Sequence, residues 1–167
     1  MSRGFVKEDD QEDVPMVPQR AYLPEGATNF VTPYGMNQLL AEKQVLENEK
    51  NNLNSINENE KRIELNFINA KIQLLNDRIA SARTVDLSEQ PEDEIRFGAT
   101  IKLRKEGSDN IQTFQIVGVD EADISKGKVS FISPFSRVLI NKKKGDRVVI
   151  KQAGKDIAFE ILGISYT

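Results

Sequence analysis

The side chains that carry most enzyme chemistry are missing from this sequence. It has no histidine and no cysteine. That removes imidazole bases, Ser-His and Cys-His nucleophile pairs, disulfides, and zinc or iron–sulfur sites built on those ligands. No GxxxxGK[ST] or GxGxxG run marks a phosphate-binding loop. What remains is chemistry by carboxylates, lysines or a carboxylate-held Mg²⁺. The basic run Lys142-Lys143-Lys144 has the charge to attract phosphate. It lies in a turn before Gly145-Asp146, in neutral surroundings and without interleaved aromatics for base stacking, so it reads as a solvated loop. These absences point to a binding protein.

The elements that would position a binding surface follow from patterning. A chain of 167 residues suits one ordinary domain or two small units. With 38% hydrophobic and 29% charged residues and a mean hydropathy of -0.47, it is a globular protein diluted by polar segments. No apolar run approaches the roughly 18 residues of a membrane span. The start, MSRGFVKEDDQEDV, is acidic where a secretion signal needs an apolar stretch, so a cytoplasmic location is expected.

The net charge of -3 is concentrated at one end. Before residue 31, Glu8, Asp9, Asp10, Glu12, Asp13 and Glu25 face only Arg3, Lys7 and Arg20, and the rest of the chain is balanced. With Pro15, Pro18 and Pro24 and no apolar periodicity, residues 1–31 read as an acidic, extended arm without stable structure. Its apolar handles for a partner are Tyr22-Leu23 and Phe30-Val31.

Thr32 and Pro33 then supply a helix N-cap and a first-turn proline. Met36, Leu39, Lys43, Leu46, Lys50 and Leu53 step by three and four residues, as do Leu65, Ile68, Ile72, Leu75, Ile79 and Ala82. The turn-forming stretch from Asn54 to Glu60 separates them. Residues 32–86 are therefore expected to form an antiparallel helical hairpin, projecting rather than lying flat on a core, because each apolar stripe is narrow. A polar linker occupies 87–94. Residues 95–167 change to strand patterning in Ala99–Leu103, Thr113–Val117, Lys128–Ile132, Arg147–Ile150 and Ile157–Ile161. Ser133-Pro134 starts a short helix among them, and Ala153-Gly154-Lys155 marks a hairpin. The fold class is α+β.

Several ordered motifs in this pattern resemble the Gre family (GreA/GreB) of bacterial transcription elongation factors. They are Thr32-Pro33-Tyr34-Gly35, Ala82-Arg83-Thr84-Val85-Asp86, Phe97-Gly98-Ala99-Thr100-Ile101, the stretch from Ile116 to Asp123, Ser133-Pro134-Phe135-Ser136-Arg137 and Phe159-Glu160-Ile161 with Tyr166. The resemblance implies an N-terminal coiled-coil hairpin and a C-terminal FKBP-like domain that docks on the rim of the RNA polymerase secondary channel. It implies polymerase contacts at Asp120, Glu121, Ser133, Pro134 and Arg137. The hairpin would enter the channel, where two tip acids help hold the polymerase's Mg²⁺ while the polymerase itself cleaves backtracked RNA. The chain would hold no metal of its own, act as a monomer, meet nucleic acid only indirectly, and be no enzyme in itself. Peptidyl-prolyl isomerase activity does not follow from an FKBP-like fold.

At the tip this sequence departs from the family pattern. Ser55, Asn57, Glu58, Asn59 and Glu60 stand where the family reads approximately Asp-Leu-Ser/Lys-Glu-Asn-Ala-Glu-Tyr. Ser55 replaces the leading Asp, and Glu58 and Glu60, two residues apart, would point about 200° from each other if helical. The stretch from Gly35 to Ala82 is about fifteen residues shorter than expected for a cleavage factor, which shortens the hairpin by about 11 Å. A channel-binding regulator without efficient cleavage is therefore expected. The alternative is a cleavage-stimulating factor using Glu58 and Glu60, and a weaker third reading is a hairpin protein with another partner.

Overall fold

In a computed structural model, which describes residues 15–55 and 57–167, the first helix begins at the Thr32-Pro33 step. Helix α1 (Pro33–Asn51) has Thr32 as N-cap, its side chain accepting from the Gly35 N–H at 2.9 Å. Helix α2 (Glu58–Ser81) is capped by Asn57, which accepts from the Asn59 N–H at 2.8 Å. The two helices pack along the leucine stripe. Leu39, Leu46 and Leu75 are buried, with Met36, Ile72 and Ile79 against them. Leu75, fully buried, is the central contact of that stripe.

The arm expected over residues 1–31 needs correction where the structure describes it. Its acidic cluster, Glu8 to Asp13, lies outside the described residues. Strand β1 (Asn29–Val31), however, pairs in parallel with β2 (Ala82–Thr84), which leaves the helix pair. Parallel strands need a long crossover, and the helix pair is that crossover, so three residues on each side suffice. Asn29 is buried because its amide donates to the Arg78 carbonyl at 3.1 Å and to Ser81 Oγ at 3.2 Å. The chain before β1 has no regular secondary structure apart from a turn closed by the Ala27 N–H on the Pro24 carbonyl, and it carries specific contacts, described below.

The remaining strands are β3 (Thr100–Lys105), β4 (Ile111–Val117), β5 (Lys128–Ser130), β6 (Arg147–Gln152) and β7 (Lys155–Ser165). They form one sheet in the order β5-β4-β3-β7-β6. Only β4 and β5 run parallel. A register shift between Lys102 and Leu103 helps the long β7 to curl against β3. Short helix α3 (Pro134–Leu139) contributes Leu139 to a core with Ile101, Leu103, Ile116, Phe159 and Ile161. The β6–β7 turn is Ala153-Gly154, both residues left-handed, the two-residue turn that matches strand twist. The three lysines at 142–144 are exposed in the turn before β6, and the Lys143 N–H donates to Asp146 at 2.8 Å. Among the described residues no helix is long and apolar enough to cross a membrane.

Candidate functional site

The free end of the helix pair presents the tip residues named from the sequence. Asn57, Glu58, Asn59 and Glu60 are all exposed. Glu58 and Glu60 both lie in the first turn of α2, so the geometry expected for a helical tip applies and their carboxylates diverge. Negative charge there is favoured by the helix N-terminus, which explains two acids at this place without any ligand. Ser55 donates its hydroxyl to Glu64 Oε2 at 2.6 Å, a bond that closes the turn. Glu64 was not singled out in the sequence, although it stands four residues from Glu60 and thus on the same helix face. Beside the tip an open groove of about 610 Å³ is lined by Val45, Leu53, Phe67 and Ile68. Among the described residues no group of three His, Cys, Asp or Glu side chains is arranged to hold a metal.

The other expected site residues separate into two places. Ser133 is the N-cap of α3, accepting from the Ser136 N–H at 3.2 Å, and Pro134 is in its first turn. Ser136, fully buried, donates to the Ser130 carbonyl at 2.7 Å and anchors the helix from below. Pro134 and Arg137 remain exposed on the outer face. They form a surface that a partner can reach.

Asp120 and Glu121 lie apart from that surface, at the base of the helix pair. The Asp120 side chain is only 7% exposed and lies between two arginines. Arg20 donates from Nε to Oδ1 at 3.1 Å, and Arg78 Nε of α2 stands 3.2 Å from Oδ2. Glu121 is buried, accepts the Thr32 hydroxyl, and pairs with Lys128 at 3.1 Å. Lys128 in turn lies 4.2 Å from the Tyr34 ring centre. Both carboxylates thus join the base of the helix pair to the sheet domain.

Two glycines of the motifs serve the same junction by close approach. A Cβ on Gly118 would come 2.5 Å from the Phe30 carbonyl oxygen, and one on Gly35 would come 2.5 Å from Glu121 Oε1. Phe30, Phe97 and Phe131 fill the gap between the units, their ring centres 5.7, 5.8 and 5.5 Å apart pairwise. Phe30 is therefore a handle for the chain's own sheet domain. Arg20 completes the junction with a two-pronged bond to Glu42 of α1, at 2.8 and 3.1 Å. The hydrogen bond to Glu42, with the charge of Asp120, holds the Arg20 guanidinium above its ordinary range despite the opposing effect of burial.

A family model described as the C-terminal part of the transcription elongation factors GreA/GreB matches residues 90–166. Among curated proteins, the transcription elongation factor GreA of Acidiphilium cryptum is 42% identical over 100 residues, and that of Maricaulis maris is 36% identical over 100 residues. Each match covers 60% of this chain and 64% of the relative. The chain therefore spans just under two thirds of the length of the curated relatives it matches. Among solved structures, a prokaryotic transcription elongation factor GreA/GreB from Nitrosomonas europaea aligns with a TM-score of 0.43 and 20% identity, over 82% of this chain and 98% of that chain.

Proposed function

We propose that this chain, whose residues 90–166 match the C-terminal part of the GreA/GreB transcription elongation factors, is a factor of that family that binds RNA polymerase and regulates elongation without efficient transcript cleavage. In this reading the FKBP-like sheet domain docks at the rim of the secondary channel in the cytoplasm. The helices α1 and α2 enter the channel as a coiled-coil hairpin. The exposed Pro134 and Arg137 of α3 belong to the docking face, together with the cap Ser133, whereas Asp120 and Glu121 keep the helix pair aimed. The chain acts as a monomer, contacts nucleic acid only through the elongation complex, and holds no metal of its own.

The observation that carries the non-cleaving part is the divergence of Glu58 and Glu60 in the first turn of α2. Two carboxylates that face apart cannot ligate one Mg²⁺ together, and a single exposed carboxylate orients metal and attacking water poorly. One further observation favours the cleaving alternative. Glu60 and Glu64 share a helix face. In that alternative they, rather than Glu58 and Glu60, form the pair, and Glu64 must first release Ser55.

Tip location is tested with the chain's lack of cysteine as an advantage. A photo-crosslinker placed by Asn54→Cys, an exposed position before α2, is expected to attach to the wall of the secondary channel of core polymerase. Excess unlabelled chain should abolish the adduct. Binding without any channel adduct, or no binding at micromolar polymerase, would contradict the reading.

A further inference from the structure

The base of the helix pair is joined to the sheet domain by contacts that differ in where they act. The Thr32–Glu121 bond, the close approach of Phe30 to Gly118 and the three phenylalanines all sit at the N-terminal end of α1. Contacts gathered at one end of a rod hold it in place but resist tilting weakly. Glu42 is ten residues beyond Thr32 in the sequence, about 15 Å farther along the helix axis. Arg20 reaches it there while also bonding Asp120 of the sheet domain.

The direct ion pair between the helices and the sheet domain, Arg78 with Asp120, is close but poorly aimed. Asp120 Oδ2 receives no hydrogen bond although Arg78 Nε is 3.2 Å away. The directed bonds belong to Arg20, which bridges Glu42 and Asp120 with one planar guanidinium. The chain around Arg20 is itself held. Arg78 Nη2 donates to the Ala21 carbonyl at 2.5 Å. Pro18 to Ala21 also border a groove shared with Leu46 of α1, Leu74 of α2 and Val119 of the sheet domain. One short segment thus touches both helices and the sheet domain away from the pivot.

We propose that residues 15–28 are a strap that braces the helix pair against the sheet domain, with Arg20 as the positioning residue that fixes the direction of the tip. The strap determines where Glu58 and Glu60 are presented, whichever partner they meet. The lever is large. A swing of about 10° at the pivot moves a tip about 28 Å away by about 5 Å, using the rise of a helix the length of α1. Lysine at position 20 would not substitute, because a point charge on a flexible stem cannot hold two carboxylates in a fixed plane.

The test uses the full chain and needs no polymerase, so its outcome is independent of the proposed function. Spin labels are placed by Asn54→Cys at the tip and Lys151→Cys on exposed β6, and their distance distribution is measured. The otherwise unchanged chain should give one narrow distribution. Arg20→Ala, Glu42→Ala and a chain lacking residues 1–22 should each broaden it or shift its centre by about 5 Å, with helix content by circular dichroism unchanged. Glu42 lies on the outer face of α1, so its truncation tests the brace without opening the buried junction. An unchanged narrow distribution in Arg20→Ala and Glu42→Ala would overturn the proposal.

Discussion

Asp120→Ala is expected to destabilise the protein by about 3 kcal/mol in urea unfolding of the full chain. The substitution removes the shared counter-ion of two arginines whose side chains are 19% and 12% exposed. Breaking a largely buried ion pair by deleting one partner costs about 3–5 kcal/mol, because the remaining charge is left uncompensated out of water. The lower end applies, since Arg20 retains Glu42. Asp120→Asn, which keeps the shape and an acceptor, should cost less than the alanine change. This prediction separates two roles for the residue. A carboxylate displayed to a partner would change stability by no more than about 0.5 kcal/mol when truncated. A loss under about 1 kcal/mol for Asp120→Ala would therefore contradict the junction role.

Leu75→Ala should have an effect of similar size by a different route. Leu75 is fully buried in the helix-pair stripe and is flanked there by only two other buried leucines, Leu39 and Leu46. Deleting a buried leucine side chain costs about 2–5 kcal/mol, depending on how far the site collapses. The helices are expected to lose order before the sheet domain, whose separate core is built on Ile101, Phe159 and Ile161. A fall in far-UV helical signal at a lower urea concentration than the unfolding of the sheet would show this. A single coincident transition at the unsubstituted midpoint would contradict it.

Local chemistry made much of the architecture readable in advance. Thr32-Pro33 and Ser133-Pro134 start helices because cap and proline act within one turn, and both helices begin there. The seven-residue spacing of Leu39 and Leu46 placed both on the face that meets Leu75. Ala153-Gly154 closes the β6–β7 hairpin as its type suggests. The pairing of β1 with β2 was not legible, since three residues carry no periodicity and the partner strands are separated by the whole helix pair. The tip was legible as far as its acids, but Glu64 drew no notice because its bond to Ser55 spans nine residues across a turn.

The junction is the more instructive case. Asp120 and Glu121 carry charges, and charged residues in a loop normally face water or a partner. Here their counter-ions and hydrogen-bond donors come from far away in sequence, Arg20 lying 100 residues before Asp120 and Thr32 lying 89 before Glu121. No local pattern announces such a pairing. The same distance explains Gly35 and Gly118, whose missing side chains matter only once the two units meet. These two motif carboxylates are in this way fittings between the helix pair and the sheet domain.

The central claim is that a tip with diverging acids occupies the polymerase channel without completing a metal site. It is tested most directly by the rate of transcript 3′ shortening in backtracked elongation complexes, measured with and without this chain at saturating concentration. The account predicts a rate no faster than that of polymerase alone. A several-fold acceleration that Glu60→Ala abolishes would contradict it, and would mean that the tip carboxylates reach the metal together.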